Sequence, residues 1–295
     1  MLVGIDYAKV DNNAVPDFAK FQAACAAAGS RAGVAIFRAA WGTQPDDTLG
    51  RDWNRALAAG LTCGGYLFLR MPHPGFTGTA EDQVHVFADT VGPLTGQHLV
   101  PTIDIEDTGL PAAQELEWVH RAWAEMRSIY GVPPMIYTSD RVWREDLHDL
   151  PAGELVDSPL WVAKPWPWAV RSAPHLTSEA FAPGKNDPIV PKPWGPGNWW
   201  MHQYQGDAHP VPGFTSTVDL SRFHLMQTGE TGARVAWVQR RLGMRPTGAP
   251  AYPVFDGEML ANVRAFQAQH GLVVDGVIGP RTFAGLSWSP PVLAA

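Results

Sequence analysis

The sequence is poor in the residues that build disulfide frameworks, structural metal sites and membrane spans. It has two cysteines in 295 residues, Cys25 and Cys63, too few for a disulfide framework or a zinc site. Its ten histidines form no His-Glu-x-x-His motif, which argues against a zinc peptidase or amidase. No apolar run approaches the roughly 20 residues of a membrane helix. We therefore expect two buried free thiols, no metal or other cofactor, and no membrane insertion.

The charge of the chain is modest, and its two parts differ in sign. The formal net charge is −7, and we expect no nucleic-acid partner. Residues 226–295 carry six Lys/Arg against four Asp/Glu, net +2, which leaves 16 against 25, net −9, in residues 1–225. The C-terminal part is therefore the better candidate for docking on an anionic polymer.

Residues 1–225 alternate between strand-like and helix-like segments. Strands are predicted over 2–6, 33–39, 65–70, around 103, and over 134–137, 160–163 and 200–204. Helices are predicted over 16–28, 52–59, 79–90 and 112–130. Alternation of this kind is typical of parallel β/α units that close into a barrel. In such barrels the active site forms where the strands end.

Two acids in the run Pro101-Thr-Ile-Asp104-Ile-Glu106 are the strongest candidates for chemistry. Residues i and i+2 of a strand share a face, so Asp104 and Glu106 should project together while Ile103 and Ile105 pack on the other face. Burial and a like charge raise the pKa of one carboxyl in such a pair, which suits general acid catalysis. The alternative is a strand that simply ends in solvated acids.

Other polar residues also fall at predicted strand ends. Asp6, Tyr66 and Tyr137 do so, and Asp219 should close the last strand of this part. This convergence favours a catalytic site. For Asp6 and Asp219 a structural role stays open, as buried aspartates held by backbone groups or by Arg38.

Tryptophan is abundant, with 13 in the chain. Six of them lie among prolines and glycines, where exposed aromatic side chains often mark a binding surface. These residues are Trp161, Trp166, Trp168, Trp194, Trp199 and Trp200.

Residues 226–288 show helical patterns and no longer alternate between strands and helices. Two amphipathic helices and a short third one are predicted, the last opened by Pro280. We expect Trp237 and Phe266 to be core residues of this small all-α domain, followed by a tail over 289–295.

Seven short segments of residues 1–225 together resemble the Chalaropsis-type lysozymes, the muramidases of glycoside hydrolase family 25. They occur in family order, as Gly4-Ile-Asp6, Phe37-Arg38-Ala-Ala-Trp-Gly, Gly64-Gly-Tyr66-Leu-Phe, Asp104-Ile-Glu106, Ile136-Tyr137-Thr, Leu160-Trp161-Val-Ala, and Gln203-Tyr204 leading to Val218-Asp219. The resemblance implies a flattened, irregular β/α barrel of the TIM type.

The small domain resembles the three-helix peptidoglycan-binding domain of cell-wall hydrolases. The residues that carry this likeness are Gly232-Ala-Arg-Val-Ala-Trp-Val-Gln-Arg-Arg-Leu, Phe255-Asp-Gly, Val263-Arg-Ala-Phe-Gln, and Gly271-Leu-Val-Val-Asp-Gly-Val-Ile-Gly-Pro. Both halves therefore imply the same partner, the glycan strands of bacterial peptidoglycan.

The resemblance implies hydrolysis of the β-1,4 bond between N-acetylmuramic acid and N-acetylglucosamine. Glu106 is the expected general acid, with its pKa raised by Asp104 and Asp6. Asp104 has three open roles: nucleophile, base that activates water, or support for the substrate's own acetamide, which the resemblance favours with help from Asp219. The expected substrate-binding residues are Arg38, Tyr66, Tyr137, Trp161 and Gln203, although Trp161 also fits ordinary core.

Two other functions remain open at this stage. One is an N-acetylglucosaminidase or chitinase-like hydrolase, and the other is a wall-binding protein without catalysis. The chain opens on a strand rather than a signal peptide. We expect a monomer that acts on the bacterial wall, made in the cytoplasm and released by a holin-type or injection route, or extracellular if a signal was removed. A phage endolysin, an autolysin and an injected effector all fit.

Overall fold

The computed structural model describes residues 1–8, 15–76, 78–164, 173–177, 187–244 and 253–289. Within these ranges, the chain up to Phe223 forms a closed β/α barrel, and the remainder forms three helices. The predicted fold class, an α/β barrel followed by a small helical region, is confirmed. No helix in the described residues is long and apolar enough to cross a membrane.

The regular elements follow the predicted order closely. The described strands are Leu2–Tyr7 (β1), Arg31–Trp41 (β2), Gln44–Pro45 (β3), Thr62–Phe68 (β4), Thr102–Asp104 (β5), Met135–Thr138 (β6), Leu160–Ala163 (β7), Met201–Ala208 (β8) and Val218–Phe223 (β9). The α-helices are Phe18–Ala27 (α1), Leu49–Ala58 (α2), Ala80–Val91 (α3), Ala112–Tyr130 (α4), Ala233–Arg241 (α5), Gly257–Gln269 (α6) and Pro280–Trp288 (α7). A π-helical turn, Val142–Asp146, and a 3-10 turn, Gly153–Asp157, lie between β6 and β7.

Several helix ends are fixed by local sequence. The Thr79 hydroxyl accepts a hydrogen bond from the Asp82 backbone N–H, and the Asp82 carboxylate accepts one from the Thr79 N–H, which caps the start of α3. Helix α4 ends at Gly131, whose φ of +73° suits glycine. Pro280 opens α7 as predicted. These residues fix the start of α3, the end of α4 and the start of α7.

Eight strands close the barrel in the order β1-β9-β8-β7-β6-β5-β4-β2, with β2 paired back to β1 and the short β3 added outside. The pairs from β1–β2 round to β7–β8 are parallel, whereas β9 runs antiparallel to both β8 and β1. The predicted parallel β/α units therefore account for the barrel up to β8, and β9 departs from them.

This reversal also corrects the expected position of Asp219. It is the second residue of β9 and not the end of a strand. Because β9 is antiparallel to its neighbours, its first residues lie at the same barrel edge as the last residues of the parallel strands, and Asp219 pairs with Asp6 of β1. The aspartate still reaches the predicted edge, but from the opposite end of its strand.

The hydrophobic core has two parts. One cluster fills the space between the barrel strands and the helices around them, and it includes both cysteines, which are buried and free as predicted. The other cluster runs from inside the barrel into the three-helix region, so the two regions share a core. Trp200 of the barrel lies 4.5 Å from Phe283 and 5.4 Å from Trp237, measured between ring centroids.

Polar contacts also join the two regions. The Trp288 indole donates a hydrogen bond to the His98 carbonyl (2.9 Å), and the Arg281 guanidinium donates one to the Gly60 carbonyl (2.8 Å). Trp237 and Phe266 are buried, which confirms their prediction as core residues. The helical region is thereby fixed to the end of the barrel where the parallel strands begin.

The tryptophan-rich segment does not form the expected exposed surface. Trp161, Trp194, Trp199 and Trp200 are each no more than 5% exposed, so the prediction of exposed aromatic side chains is wrong for them. Trp199 is packed between polar partners, with the Arg222 guanidinium 4.8 Å from its ring centroid. The remaining two, Trp166 and Trp168, lie outside the described residues.

The shared core makes a stability prediction. Replacing Phe283 with leucine should lower the free energy of unfolding by about 1–2 kcal/mol, because leucine loses the ring contacts to Trp200 and Trp237. Urea unfolding followed by tryptophan fluorescence measures the change. Val273→Ala is the control, since Val273 is 75% exposed and should move the value by no more than about 0.5 kcal/mol. Equal effects of the two variants would contradict a core shared by barrel and helices.

Candidate active site

A pocket of about 180 Å³ opens at the barrel edge where the parallel strands end. All nine residues predicted for catalysis or substrate binding line it. They are Asp6, Arg38, Tyr66, Asp104, Glu106, Tyr137, Trp161, Gln203 and Asp219. The structure therefore brings together side chains that are up to 213 positions apart in the sequence.

Asp104 and Glu106 lie at the centre of the pocket. Asp104 is the last residue of β5 and is 4% exposed, whereas Glu106 lies two residues beyond the strand and reaches solvent. Ile103 and Ile105 are fully buried in the cluster between barrel and helices, as the alternation predicts. One oxygen of Asp104, Oδ1, is buried and has no hydrogen-bond partner among the described residues. An unpaired buried carboxylate oxygen is costly, so this atom is suited to accept a donor from a ligand.

The surroundings raise the pKa of both central carboxyls. Burial raises the pKa of Asp104 well above its usual range, and the charges of Glu106 and Asp6 add to the effect while Arg38 opposes it. Glu106 reaches solvent at one side, but the protein atoms around its carboxyl still raise its pKa by desolvation; the charge of Arg141 lowers this pKa and that of Asp107 raises it. The charge of Asp104 was expected to raise the pKa of Glu106. Instead, the charge of Glu106 raises the pKa of Asp104. A pair with both pKa values raised retains a proton more readily, which is what a general acid needs.

Gln203 joins the other two acids of the pocket. Its side-chain amide donates hydrogen bonds to Asp6 Oδ1 and Asp219 Oδ2, both at 3.0 Å, and its carbonyl accepts one from the Tyr137 hydroxyl at 2.8 Å. The backbone N–H of Asp207 donates to the second oxygen of Asp219 at 2.7 Å. One amide thus holds two carboxylates and a phenol in fixed positions beside the central pair.

The remaining predicted residues form the walls of the pocket. Arg38 is buried and pairs with Asp46, with 3.4 Å between Nη2 and Oδ2. Trp161 is 2% exposed, donates to the Ser221 hydroxyl at 3.0 Å, and meets the Tyr137 ring edge-on. Burial, with added effects from the pocket acids, raises the pKa of Tyr66 and Tyr137 well above the usual range. Both phenols therefore remain protonated hydrogen-bond donors.

Five residues of the pocket were not predicted from the sequence. They are Tyr7, Ala8, Trp41, Phe68 and Asp207. Trp41 stacks on Phe68, with 4.7 Å between ring centroids, and lies under the guanidinium groups of Arg38 and Arg70. The sequence did offer one signal for Trp41 and Phe68. Each is the last residue of its strand, β2 or β4, and each of these strands also carries a predicted site residue.

Two parts of the chain match known protein families. Residues 5–213 match the glycosyl hydrolases family 25, and residues 231–286 match a putative peptidoglycan binding domain. No curated protein sequence matches the chain.

Solved structures share the barrel fold. A bacterial lysozyme from Streptomyces coelicolor aligns with a TM-score of 0.57 and 23% identity, covering 76% of this chain and 92% of its own. A muramidase from Acremonium alcalophilum aligns with a TM-score of 0.55 and 20% identity, covering 76% and 94%. A family 25 lysozyme from Aspergillus fumigatus aligns with a TM-score of 0.53 and 23% identity, covering 75% and 93%. Because these identities are 20–23%, the likeness shows a shared fold and no more.

Proposed function

The chain belongs to the glycosyl hydrolases family 25, and on that premise we propose that it hydrolyses the β-1,4 bond between N-acetylmuramic acid and N-acetylglucosamine in peptidoglycan. The observation that carries the proposal is the pocket itself, in which Asp104 and Glu106 lie beside Asp6 and Asp219 and one oxygen of Asp104 has no partner among the described residues. The match of residues 231–286 to a peptidoglycan binding domain supports the same substrate.

Glu106 is proposed as the general acid. It is the central carboxyl that reaches solvent, so a glycosidic oxygen can approach it, and its raised pKa keeps the proton available. In the first step Glu106 gives this proton to the leaving oxygen while the bond to the anomeric carbon breaks. The resulting carboxylate then takes a proton from the attacking water.

Asp104 is proposed to hold the substrate's acetamide for attack on the anomeric carbon. Its unpaired Oδ1 can accept the acetamide N–H, which orients the acetamide carbonyl oxygen toward the sugar ring. As that oxygen bonds to the anomeric carbon, positive charge develops on the acetamide, and a nearby carboxylate stabilises it. Water then opens the cyclic intermediate and restores the acetamide.

The other pocket residues are proposed to position the sugar. Gln203 holds Asp6 and Asp219, which contribute negative charge around the cationic intermediate and accept sugar hydroxyls. Tyr66 and Tyr137 donate hydrogen bonds, and Arg38 and Trp161 form the walls.

We further propose residues 1–225 as the catalytic domain, 226–288 as the wall-binding domain and 289–295 as a tail. The protein acts as a monomer on the bacterial cell wall, since an insoluble polymer requires no second subunit. It reaches the wall by a holin-type or injection route, or by secretion.

Analysis of the released fragments tests which bond is cut. Purified peptidoglycan is digested, new reducing ends are reduced with borohydride, and the products are analysed by mass spectrometry. The proposal predicts muramitol ends. Glucosaminitol ends would instead indicate an N-acetylglucosaminidase, and intact strands with bound protein would leave a wall-binding protein without glycosidase activity.

The charge of Arg141 gives a pH prediction. Arg141 lowers the pKa of Glu106, so Arg141→Gln should raise it. A general acid works only while protonated, and activity falls as pH rises through its pKa. The alkaline limb of the kcat/KM profile should therefore move to higher pH, and most clearly at low salt because Arg141 is exposed.

Arg144→Gln is the matched control for this prediction. Arg144 lies one turn further on, is also exposed, and pairs with Asp140 and Glu145. It should leave the alkaline limb in place. A limb that stays fixed or moves to lower pH in Arg141→Gln would contradict the assignment of Glu106 as the acid.

A further inference from the structure

A second groove lies at the opposite end of the barrel from the catalytic pocket. It has a volume of about 550 Å³ and runs between the barrel and the three-helix region. Leu2 of β1 lines it, while Asp6 of the same strand lines the catalytic pocket. The two residues are four positions apart along the strand, a distance of about 13 Å. Both sites can therefore be occupied at once.

Two arginines, Arg31 and Arg281, line this groove. Arg31, at the start of β2, is exposed and its side chain has no hydrogen-bond or ion-pair partner among the described residues. Arg281, in the first turn of α7, is held by its hydrogen bond to the Gly60 carbonyl. The acid among the described lining residues is Asp275, whose Oδ1 already accepts hydrogen bonds from Gln267 and from the Val277 backbone. The groove thus favours an anionic ligand.

Helix α7 adds to this preference. It starts at the groove with Gly279 and Pro280, no side chain caps it, and no acid lies in its first turn. The free N–H groups and the helix dipole both favour a carboxylate there. The helix acts together with the two arginines and would not by itself define a site.

The apolar part of the groove distinguishes a peptide from a sugar chain. Val273 is 75% exposed and Leu225 is 38% exposed at its rim, and Thr62 lies buried in its wall. None of the described residues that line the groove is aromatic, whereas the catalytic pocket contains Tyr, Trp and Phe rings. Sugar rings commonly stack on aromatic side chains. Small aliphatic side chains beside arginines instead suit methyl groups and carboxylates.

We propose that this groove binds the acidic stem peptide of peptidoglycan. The inference rests on the proposed function, in that peptidoglycan is the substrate. Stem peptides carry alanine methyl groups and free carboxylates, which match the valine and leucine rim and the Arg31–Arg281 pair. The protein then holds a stem peptide at one end of the barrel while it cleaves glycan at the other. Such two-point attachment raises the local concentration of the wall polymer.

Calorimetric titration of the full chain tests the proposal. The probe is the synthetic tetrapeptide L-Ala–γ-D-Glu–meso-diaminopimelate–D-Ala, compared with its fully amidated form. We expect Arg31→Gln to weaken tetrapeptide binding by about tenfold or more, since a charge-assisted hydrogen bond is lost. Amidation of the peptide should have a similar effect on the parent protein. Arg240→Gln, an exposed arginine of α5 that does not line the groove, is the control.

A second variant blocks the groove without removing charge. Ala26 is an exposed residue of α1 that lines the groove, and Ala26→Trp should also weaken binding, whereas Ala27→Trp on the neighbouring helix face should not. Hydrolysis of peptide-free glycan should be unchanged in all four variants. Tetrapeptide binding that is absent, or that survives both Arg31→Gln and Ala26→Trp, would overturn the proposal. Loss of glycan-oligosaccharide binding in Ala26→Trp would assign the groove to the sugar chain. Failure of the proposed function would appear separately, in the reducing-end analysis.

Discussion

Replacing Glu106 with glutamine is expected to lower kcat for glycan hydrolysis by about 10³–10⁴-fold, because the amide has the same shape but cannot donate a proton to the leaving oxygen. Glu106 lies beyond the end of β5 and reaches solvent, so the fold should tolerate the change. Release of reducing ends from purified peptidoglycan measures the loss. Sedimentation with cell walls should show unchanged binding.

Two controls separate acid catalysis from a general loss of structure. Glu117→Gln changes an exposed glutamate on α4 and should leave kcat unaltered. An aryl glycoside substrate releases a phenolate, which leaves without protonation, so Glu106→Gln should retain much more activity on it than on the natural bond. Equal losses on both substrates would contradict the acid role.

Replacing Asp104 with asparagine is expected to lower kcat by about 10²–10³-fold. The amide can still accept a hydrogen bond from the acetamide, but it lacks the negative charge that stabilises the cyclic intermediate. The variant should be at least as stable as the parent at neutral pH. Folding raises the pKa of Asp104, so its contribution to stability is greatest in acid and decreases as pH rises above the unfolded-state pKa.

De-N-acetylated glycan provides the decisive comparison for Asp104. The parent should act poorly on it, because the attacking acetamide is missing. If Asp104 works through that acetamide, Asp104→Asn should cause little further loss on this substrate, and the two changes will be strongly non-additive. Additive losses would instead indicate a direct nucleophile or a base that activates water.

The barrel and the central carboxyl pair could be predicted because their signals are local. The run around Ile103 alternates buried apolar and polar residues, and the period of two puts Asp104 and Glu106 on one side. Pro280 marked the start of α7, and the parallel order followed from the alternation of elements. The direction of β9 was not predictable in this way. Strands β8 and β9 are joined by residues 209–217, which contain no helix, and a connection of this kind permits an antiparallel return.

The contacts within the site depend on distant partners and escaped sequence reasoning. Gln203 was expected to bind substrate, but its bond to Asp6 joins residues 197 positions apart. The prediction of exposed tryptophans fails for a similar reason. Proline and glycine around Trp199 and Trp200 argue against a core helix, yet these rings pack against arginine and against the three-helix region. A one-dimensional pattern does not reveal a partner that is brought in from another domain.

The position of the helical region determines which end of the barrel is open to substrate. It closes the end of the barrel where the parallel strands begin, so the catalytic edge remains open to a long polymer. Since barrel and helices share a core, the two sites keep a fixed separation. Cleavage would then occur at a set distance from the point where the wall is held.

The anomeric configuration of the first product tests the central claim, that Glu106 donates the proton while the acetamide held by Asp104 attacks. A soluble glycan oligosaccharide is hydrolysed in an NMR tube, and the anomeric proton of the new reducing end is followed before mutarotation. Attack by the acetamide and then by water inverts the carbon twice, so the β anomer should form first. Initial release of the α anomer would mean a single displacement by water, and would contradict the account.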